Sequence, residues 1–231
     1  MSLLSHNEIS LLLDDGVITK AKYEHINSAS LDIQLGPKIL SERLLPKGAV
    51  YEEGMLNRVV LKDRTPLNMM EFDMNIDGPY ILYPGEFILA HSVEIFHLPN
   101  HISAKYILKS SMARIGLEHL NAGWCDAGWH GSVLTLELKN MTRNHEIVLQ
   151  PYDLIGQLTF FSHTEVPHKV SYASRGRYNN DRSVSGSRLS KKSINFGDSS
   201  EDTMAEEFEK SHPSIKVEEY IPNGLIVIGD E

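Results

Sequence analysis

Short runs of β-branched, aromatic and leucine residues, separated by glycine, proline and asparagine, fill most of the chain. Such punctuation is typical of strands joined by tight turns. Because no long helical pattern separates the runs, the sequence predicts an all-β fold, either a distorted jelly roll or a β-barrel. The candidate strands are residues 30–35, 58–62, 80–83, 86–95, 102–108, 132–140, 146–149 and 154–161.

Two short helices are expected beside these strands. Ser5 and Glu8 have the spacing of a capping box, which predicts an N-terminal helix that ends at Leu13 or Asp14 before Gly16. A second helical piece at 111–116 has a serine to cap it and a glycine to end it. Backbone N–H groups at such a helix start favour anions, so phosphate could settle there.

The size of the chain suits one main domain with a tail. Its 231 residues are 41% hydrophobic, enough to bury one sizeable core. We expect a folded domain at 1–193 and an acidic, partly mobile extension at 194–231, with a final apolar run at 225–228 as an edge strand. The polar stretch at 172–183 has few apolar anchors and predicts a flexible loop.

Charge and cysteine content narrow the function classes. A formal net charge of −9 argues against binding to a nucleic acid polymer, because such binding needs a basic face. The single cysteine, Cys125, excludes an intrachain disulfide and a cysteine-cluster metal site. No run approaches the roughly 20 apolar residues that span a bilayer, so we expect a soluble, cytoplasmic protein without a membrane partner.

The stretch KSSMARIGL at 109–117 concentrates groups that bind phosphate. Arg114 offers a rigid donor fork, Lys109 a point charge, and Ser110 and Ser111 uncharged donors. On its own, the stretch suits a capped helix with solvated charges at least as well.

Two further stretches, which follow 109–117 in the sequence, each contain a candidate catalytic carboxylate. Asp126 lies in NAGWCDAGWHG (121–131), where glycines allow close backbone approach and tryptophans can pack on a sugar or base. Glu137 lies on the polar side of an alternating strand, where a carboxylate could exchange protons with water and a substrate nitrogen. Taken alone, each stretch is more typical of a purely structural role, the first as a glycine-rich turn and the second as an amphipathic strand with its polar side in water. We assign no metal ligand among the eleven histidines.

Taken in order, these motifs resemble the dCTP deaminase family, within the superfamily that includes trimeric dUTPases. The resemblance runs from about Leu4 to Arg188. It is carried by INSASLDIQLG (26–36), YPGEFILA (83–90), KSSMARIGL (109–117), AGWCDAG (122–128), LELKN (136–140), IGQL (155–158) and a closing segment from GRY (176–178) to SGSR (185–188).

The resemblance implies a homotrimer with active sites at subunit interfaces and a catalytic domain at 1–193. It implies that Glu137 activates water for attack on cytosine C4 of dCTP, giving dUTP and ammonia. Ser110 and the carbonyl of Ala122 would position that water. Phosphates would be held by Lys109, Ser111, Arg114, Tyr172 and Arg177, with Mg²⁺ accompanying the triphosphate. Zinc is not expected, because zinc deaminases need a Pro-Cys-x-x-Cys motif that one cysteine cannot supply.

Three positions and one spacing depart from the family pattern. Arginine is usual where Lys109 stands, lysine where Arg177 stands, and glutamine near Asp181. A carboxylate at Asp181 would repel a triphosphate unless Mg²⁺ or Arg182 intervenes. One extra residue between Gly131 and Glu137 would flip the strand's faces, so we predict a β-bulge between Gly131 and Thr135. Residues 40–78 exceed the family core and have no functional explanation.

Two other functions stay open at this point. The first is dUTP diphosphatase activity, alone or joined to deamination, because Asp126 lies where trimeric dUTPases carry the carboxylate that acts on water. The second is a non-catalytic relative that binds deoxynucleotides or a protein partner.

Overall fold

The computed structural model describes residues 2–42 and 69–188, and within them strands far outnumber helices, which confirms a mostly β fold. The strands are β1 (Ser2–Leu3), β2 (Ile18–Thr19), β3 (Leu31–Gln34), β4 (Lys38–Glu42), β5 (Met69–Asp73), β6 (Tyr80–Leu82), β7 (Phe87–His97), β8 (Ile102–Leu108), β9 (Leu117–His119), β10 (Trp124–Cys125), β11 (His130–Asn140), β12 (Ile147–Leu149) and β13 (Leu154–Ser162). The helices are α1 (His6–Asp14), α2 (Met74–Asp77), α3 (Ser110–Arg114) and α4 (Tyr172–Arg175). None of the helices described is long and apolar enough to cross a membrane.

Helix α1 begins and ends where the sequence predicts. The Glu8 carboxylate accepts hydrogen bonds from the backbone N–H of Ser5 at 2.8 Å and from its hydroxyl at 2.7 Å. Gly16 follows the helix with a φ of 70°, a left-handed conformation that glycine adopts without steric cost.

Two larger sheets hold most of the strands. One has the order β1-β13-β8-β10, with β3 also on β13, and the other has the order β5-β4-β7-β11-β9, with β2 also on β7. Strands β6 and β12 form a separate pair. Leu136 and Leu138 of β11 share one buried apolar cluster with Tyr106 of β8 and Phe160 of β13. The core therefore belongs to both large sheets.

The longest pairing in the fold, between β11 and β7, is irregular where the sequence predicts it. Its register shifts between His130 and Ser132 and again between Val133 and Thr135. Gly131, at the first shift, has a φ of 69°. The expected bulge between Gly131 and Thr135 is thus confirmed. Beyond it β11 alternates regularly, so that the leucines are buried and Glu137 is partly exposed.

The chain from 172 to 188, called here the C-terminal segment, packs on this bulge. The Asp181 carbonyl accepts a hydrogen bond from the Val133 N–H at 2.8 Å, and the Ser132 hydroxyl donates to the Tyr178 carbonyl at 2.6 Å. Hydrogen bonds thus anchor a stretch in which the sequence shows few apolar anchors. A bulge leaves backbone groups unpaired within the sheet, and this segment satisfies them.

The expected serine cap of the second helix is also wrong. Helix α3 begins at Ser110 and its N-cap is Lys109, whose carbonyl accepts from the N–H groups of Met112 and Ala113 at 2.9 and 3.1 Å. The serines therefore lie in the first turn. Gly116 ends the helix as predicted, with a φ of 86°.

Strands β4 and β5 are not among the sequence predictions. They pair antiparallel over five positions, from Lys38 opposite Asp73 to Glu42 opposite Met69. Part of the unexplained region 40–78 thus extends the sheet that carries β7 and β11. The predicted strands at 58–62 and 225–228 and the extension at 194–231 lie outside the described residues.

Replacing Gly131 by alanine should destabilise the protein in two ways. The positive φ costs a residue with Cβ roughly 1–2 kcal/mol, and the new Cβ would lie 2.3 Å from Oδ1 of Asn180. Gly16→Ala is the matched control, because Gly16 has nearly the same φ and nothing within 4 Å of the added Cβ. Urea unfolding should show a larger loss for Gly131→Ala. Equal losses would mean that contact with the C-terminal segment contributes nothing.

Candidate active site

Glu137 lies on the wall of a cavity of about 490 Å³. Leu89 of β7 is its direct cross-strand partner, so the two side chains share one face of the sheet. Phe87, two residues earlier, lies on the same face and also lines the cavity. Further lining residues are Met69, Ala122, Trp124, Asp126, Tyr172, Tyr178 and Asp181. A carboxylate thus stands beside an apolar surface that suits a planar base.

His119 of β9 is a close neighbour that the sequence analysis missed. Its Nε2 lies 3.2 Å from Oε2 of Glu137, and the histidine is 5% exposed. The contact does not have hydrogen-bond geometry, and neither atom has a hydrogen-bond partner among the described residues. The β9–β11 register, with His119 opposite Leu138, places the ring there. Histidine spacing along the sequence does not indicate this contact, because only the pairing of β9 with β11 brings His119 to Glu137.

Behind this pair lie two buried groups that stay protonated. Burial and the negative charge of Glu137 raise the pKa of Tyr106, whose ring lies 4.6 Å from that of His119. Burial, with the charges of Asp126 and Glu137, raises the pKa of Cys125 to about 12. The thiol is therefore no nucleophile at neutral pH.

Asp126 stands between two cavities. It lines the Glu137 cavity and a second one of about 470 Å³, which also contains Arg175 and Arg177. The indole N–H of Trp124 donates to its Oδ1 at 2.8 Å. Tyr172 also borders both cavities, and burial raises its pKa. The carboxylate of Asp126 and the phenol of Tyr172 thus border both cavities, and two guanidinium groups line the second.

Asp181 is neutralised from within its own segment. Arg188 forms a short ion pair with Oδ1 of Asp181, whereas Arg182 makes no ion pair within the described residues. The cation expected at Arg182 is therefore supplied by Arg188, because the chain turns back between 181 and 188.

The predicted phosphate ligands on α3 do not line the cavity that contains Glu137. Ser110, Ser111 and Arg114 are exposed, and neither cavity is lined by any residue of 109–114. Helix α3 precedes β9, whose first residue Leu117 pairs with Asn140, three residues beyond Glu137 on β11. Within one chain, the predicted phosphate ligands on α3 therefore line neither of the two cavities.

Lys109 is engaged by a carboxylate. Its ammonium lies 2.5 Å from Oδ2 of Asp32, whose Oδ1 accepts from Asn27 at 2.8 Å and from Gln157 at 3.2 Å. Burial opposes ionisation of Asp32, but these hydrogen bonds outweigh it and lower the pKa of Asp32. The ion pair thus connects β3 to the start of α3, and Lys109 is not a free point charge.

The structure therefore divides the predicted site residues into three places. Glu137, Ala122, Asp126 and Tyr172 share the first cavity. Arg177 lines the second cavity. Lys109, Ser110, Ser111 and Arg114 lie on and beside α3.

Comparison with known proteins identifies the class to which this fold and site belong. Residues 3–163 match the dCTP deaminase-like family, and the chain belongs to that family. Among its relatives is a protein of Nanoarchaeum equitans named dCTP deaminase, dUMP-forming, which is 33% identical over 205 residues, or 81% of this chain and 97% of the relative. A protein of Aquifex aeolicus with the same name is 34% identical over 190 residues, covering 81% and 94% of the two chains.

A solved structure gives a further likeness. The 2′-deoxycytidine 5′-triphosphate deaminase from Agrobacterium tumefaciens superposes with a TM-score of 0.52 at 25% identity. The match covers 70% of this chain and 48% of the other, so this chain spans about half the length of that protein.

Replacing Asp32 by asparagine should lower the free energy of unfolding by about 1–3 kcal/mol at pH 7, because hydrogen bonds to a charged group are lost. The pKa of Asp32 is lower in the folded state than in the unfolded chain. Its contribution is therefore present at neutral pH and disappears as the pH falls below about 4 and through the folded-state pKa. The difference in unfolding free energy between the original protein and the variant should therefore shrink at low pH. Urea unfolding of both proteins at several pH values measures this difference.

Glu71→Gln is the control for that experiment. Glu71 forms a comparable ion pair with Lys38, at 2.6 Å, but both side chains are exposed to solvent. Its loss should cost less than about 1 kcal/mol. A gap for Asp32→Asn that persists unchanged at low pH would contradict a role for the ionised carboxylate.

Proposed function

We propose that the protein is a hydrolytic deaminase of deoxycytidine triphosphate. The observation that carries this proposal is the Glu137 carboxylate on the wall of an apolar cavity, 3.2 Å from a buried histidine. Family membership and the names of the relatives point to the same substrate.

The proposed chemistry needs one water and one proton carrier. Glu137 accepts a proton from the water as the water oxygen bonds to cytosine C4, and delivers this proton to ring N3. It then carries the proton of the new C4 hydroxyl to the 4-amino nitrogen, so that the exocyclic C4–N bond breaks and ammonia leaves. One dCTP and one water give one dUTP and one ammonia, and the carboxylate is regenerated. The Ala122 carbonyl, on the same cavity, and the Ser110 hydroxyl would orient the water. His119 would hold Glu137 in position.

Phosphate binding is assigned to α3 and to the second cavity. Ser111 and Arg114 are exposed and free to donate to phosphate oxygens, while Lys109 acts by fixing the start of the helix through Asp32. Tyr172 and Arg177 line the second cavity. The described residues contain no cluster of three or more metal-ligating side chains, so Mg²⁺ would arrive with the triphosphate. When bound, it would neutralise part of the phosphate charge.

The cavity lining supports a proposal on assembly, because neither cavity of the single chain is lined by residues of 109–114. We propose that one nucleotide contacts Glu137 of one chain and α3 of another. A homotrimer supplies this arrangement, because a cyclic assembly brings different surfaces of neighbouring copies together. Apolar side chains around α3 are exposed in the single chain, among them Ile107 at 42% and Ile115 at 51%.

A second candidate product is dUMP. Both relatives described above are named dUMP-forming, and Asp126 stands between the Glu137 cavity and the arginine-containing cavity. There it could activate a second water, so that dUTP and water give dUMP and pyrophosphate. Deamination and this hydrolysis would then follow one another at adjoining places.

Replacing Glu137 by glutamine should separate the two reactions. Loss of the proton carrier should slow ammonia release from dCTP by about 10²–10⁴-fold, while nucleotide binding persists, because the phosphate ligands are untouched. Ammonia and pyrophosphate should be followed separately with dCTP and with dUTP as substrate.

Asp126→Asn is the reciprocal variant. It should stop pyrophosphate release and leave ammonia release in place if dUMP is the product. Undiminished deamination by Glu137→Gln would remove Glu137 from its role. Pyrophosphate from dUTP without ammonia from dCTP would make the protein a dUTP diphosphatase instead.

Mixed assemblies test the proposed arrangement of the site. Arg114→Gln and Glu137→Gln should each be inactive alone, but mixing them after reversible dissociation should restore deamination, because some sites then combine an intact Arg114 with an intact Glu137. Light scattering should give the mass of a trimer. No recovery in mixed trimers of confirmed composition would place both residues of a site in one chain.

A further inference from the structure

The C-terminal segment lines part of the Glu137 cavity, and a contact between two of its own residues joins the ends of this lining loop. Asp181, Ser185, Gly186 and Ser187 line that cavity together with Glu137. Arg188 then reaches back to Asp181 across seven positions. The loop that forms part of the cavity wall is therefore bounded by an ion pair at its two ends.

Arg188 makes several contacts that fix this closure. Its Nη1 donates to the Arg177 carbonyl at 3.0 Å, and its backbone N–H donates to the Tyr178 hydroxyl at 3.0 Å. Its guanidinium lies 5.5 Å from the centre of the Tyr178 ring, within cation–π distance. Asp181 in turn accepts from the Ser185 hydroxyl at 3.1 Å through its second oxygen. Both charged groups are thus held by more than the ion pair.

The other end of the contact is fixed to the sheet. Asp181 receives a backbone hydrogen bond from Val133 through its carbonyl, and its own N–H donates to the Ser132 hydroxyl at 3.1 Å. Ser132 and Val133 belong to the bulge of β11, so the backbone of Asp181 is attached to the sheet. The ion pair therefore depends on the position of Arg188.

Charge balance gives the pair a second consequence. The cavity already contains the carboxylates of Glu137 and Asp126, and a third unpaired carboxylate would repel a nucleotide triphosphate. The ion pair with Arg188 neutralises the charge of Asp181, and the same contact holds the two ends of the loop together.

We propose that Asp181 and Arg188 form a clasp that holds residues 182–187 over the Glu137 cavity and thereby sets the affinity for the nucleotide. They are positioning residues, since they act through the wall they hold. The link to nucleotide affinity rests on the proposed function, whereas the clasp itself does not.

Hydrogen exchange in the full chain without nucleotide tests the clasp directly. Asp181→Asn and Arg188→Gln should each speed exchange of the amides at 182–187. Arg182→Gln should not, because Arg182 belongs to the same loop but forms no ion pair with any residue of 2–42 or 69–188. Asp181→Arg and Arg188→Asp should each open the loop further, and the double exchange of charges should recover protection relative to both. Thermal unfolding of each variant shows whether the domain stays folded.

Steady-state kinetics test the consequence for the nucleotide. Asp181→Asn and Arg188→Gln should each raise KM about tenfold with kcat changed less than about twofold, and the double variant should be no worse than either, because both remove one interaction. Arg182→Gln should leave both constants unchanged.

Two results would overturn the proposal. If Asp181→Asn lowers KM while Arg188→Gln raises it, then Arg188 binds phosphate and Asp181 merely repels it. If neither variant alters exchange at 182–187, no clasp exists. A protein that turns over no nucleotide would refute the proposed function alone, because the exchange experiment still decides the clasp.

Discussion

The interrupted pairing of β11 with β7 is the feature on which the site depends. A strand alternates its side chains strictly, so one extra residue would turn Glu137 into the core and Leu136 and Leu138 into the cavity. The register shifts between His130 and Thr135 prevent this. The same irregularity leaves Ser132 and Val133 free to bind the C-terminal segment. The bulge in β11 therefore sets the direction of the Glu137 side chain and also binds the C-terminal segment.

Electrostatics explain why the rest of the site is divided as it is. The carboxylates of Glu137, Asp126 and Asp181 line the first cavity, whereas the exposed guanidinium of Arg114 and two exposed serine hydroxyls lie on α3. Two further carboxylates, Asp32 and Asp181, each form an ion pair, with Lys109 and with Arg188. The protein can thus carry a formal net charge of −9 and still present surfaces suited to a triphosphate.

Local patterns predicted much of this molecule. The capping box, the alternating strands and the bulge follow from spacing within a few residues, and β8 falls on 102–108 as expected. Features that depend on distant partners were missed: His119 beside Glu137, Arg188 on Asp181, and the attachment of 172–183 to β11. Strands β4 and β5 were also missed, although Gly36 and Pro37 directly precede β4 and Asn68 directly precedes β5. The roles of the phosphate ligands stay predictions.

Cys125 adds a practical property to the cavity wall. It is the only cysteine in the chain, it is buried between Trp124 and Asp126, and its pKa is raised to about 12. A thiol reagent needs both access and the thiolate form, and the closed structure provides neither. The rate at which Cys125 is labelled should therefore report how often the cavity wall around it opens. The chain thus contains a natural probe of local opening in the cavity that also contains Glu137.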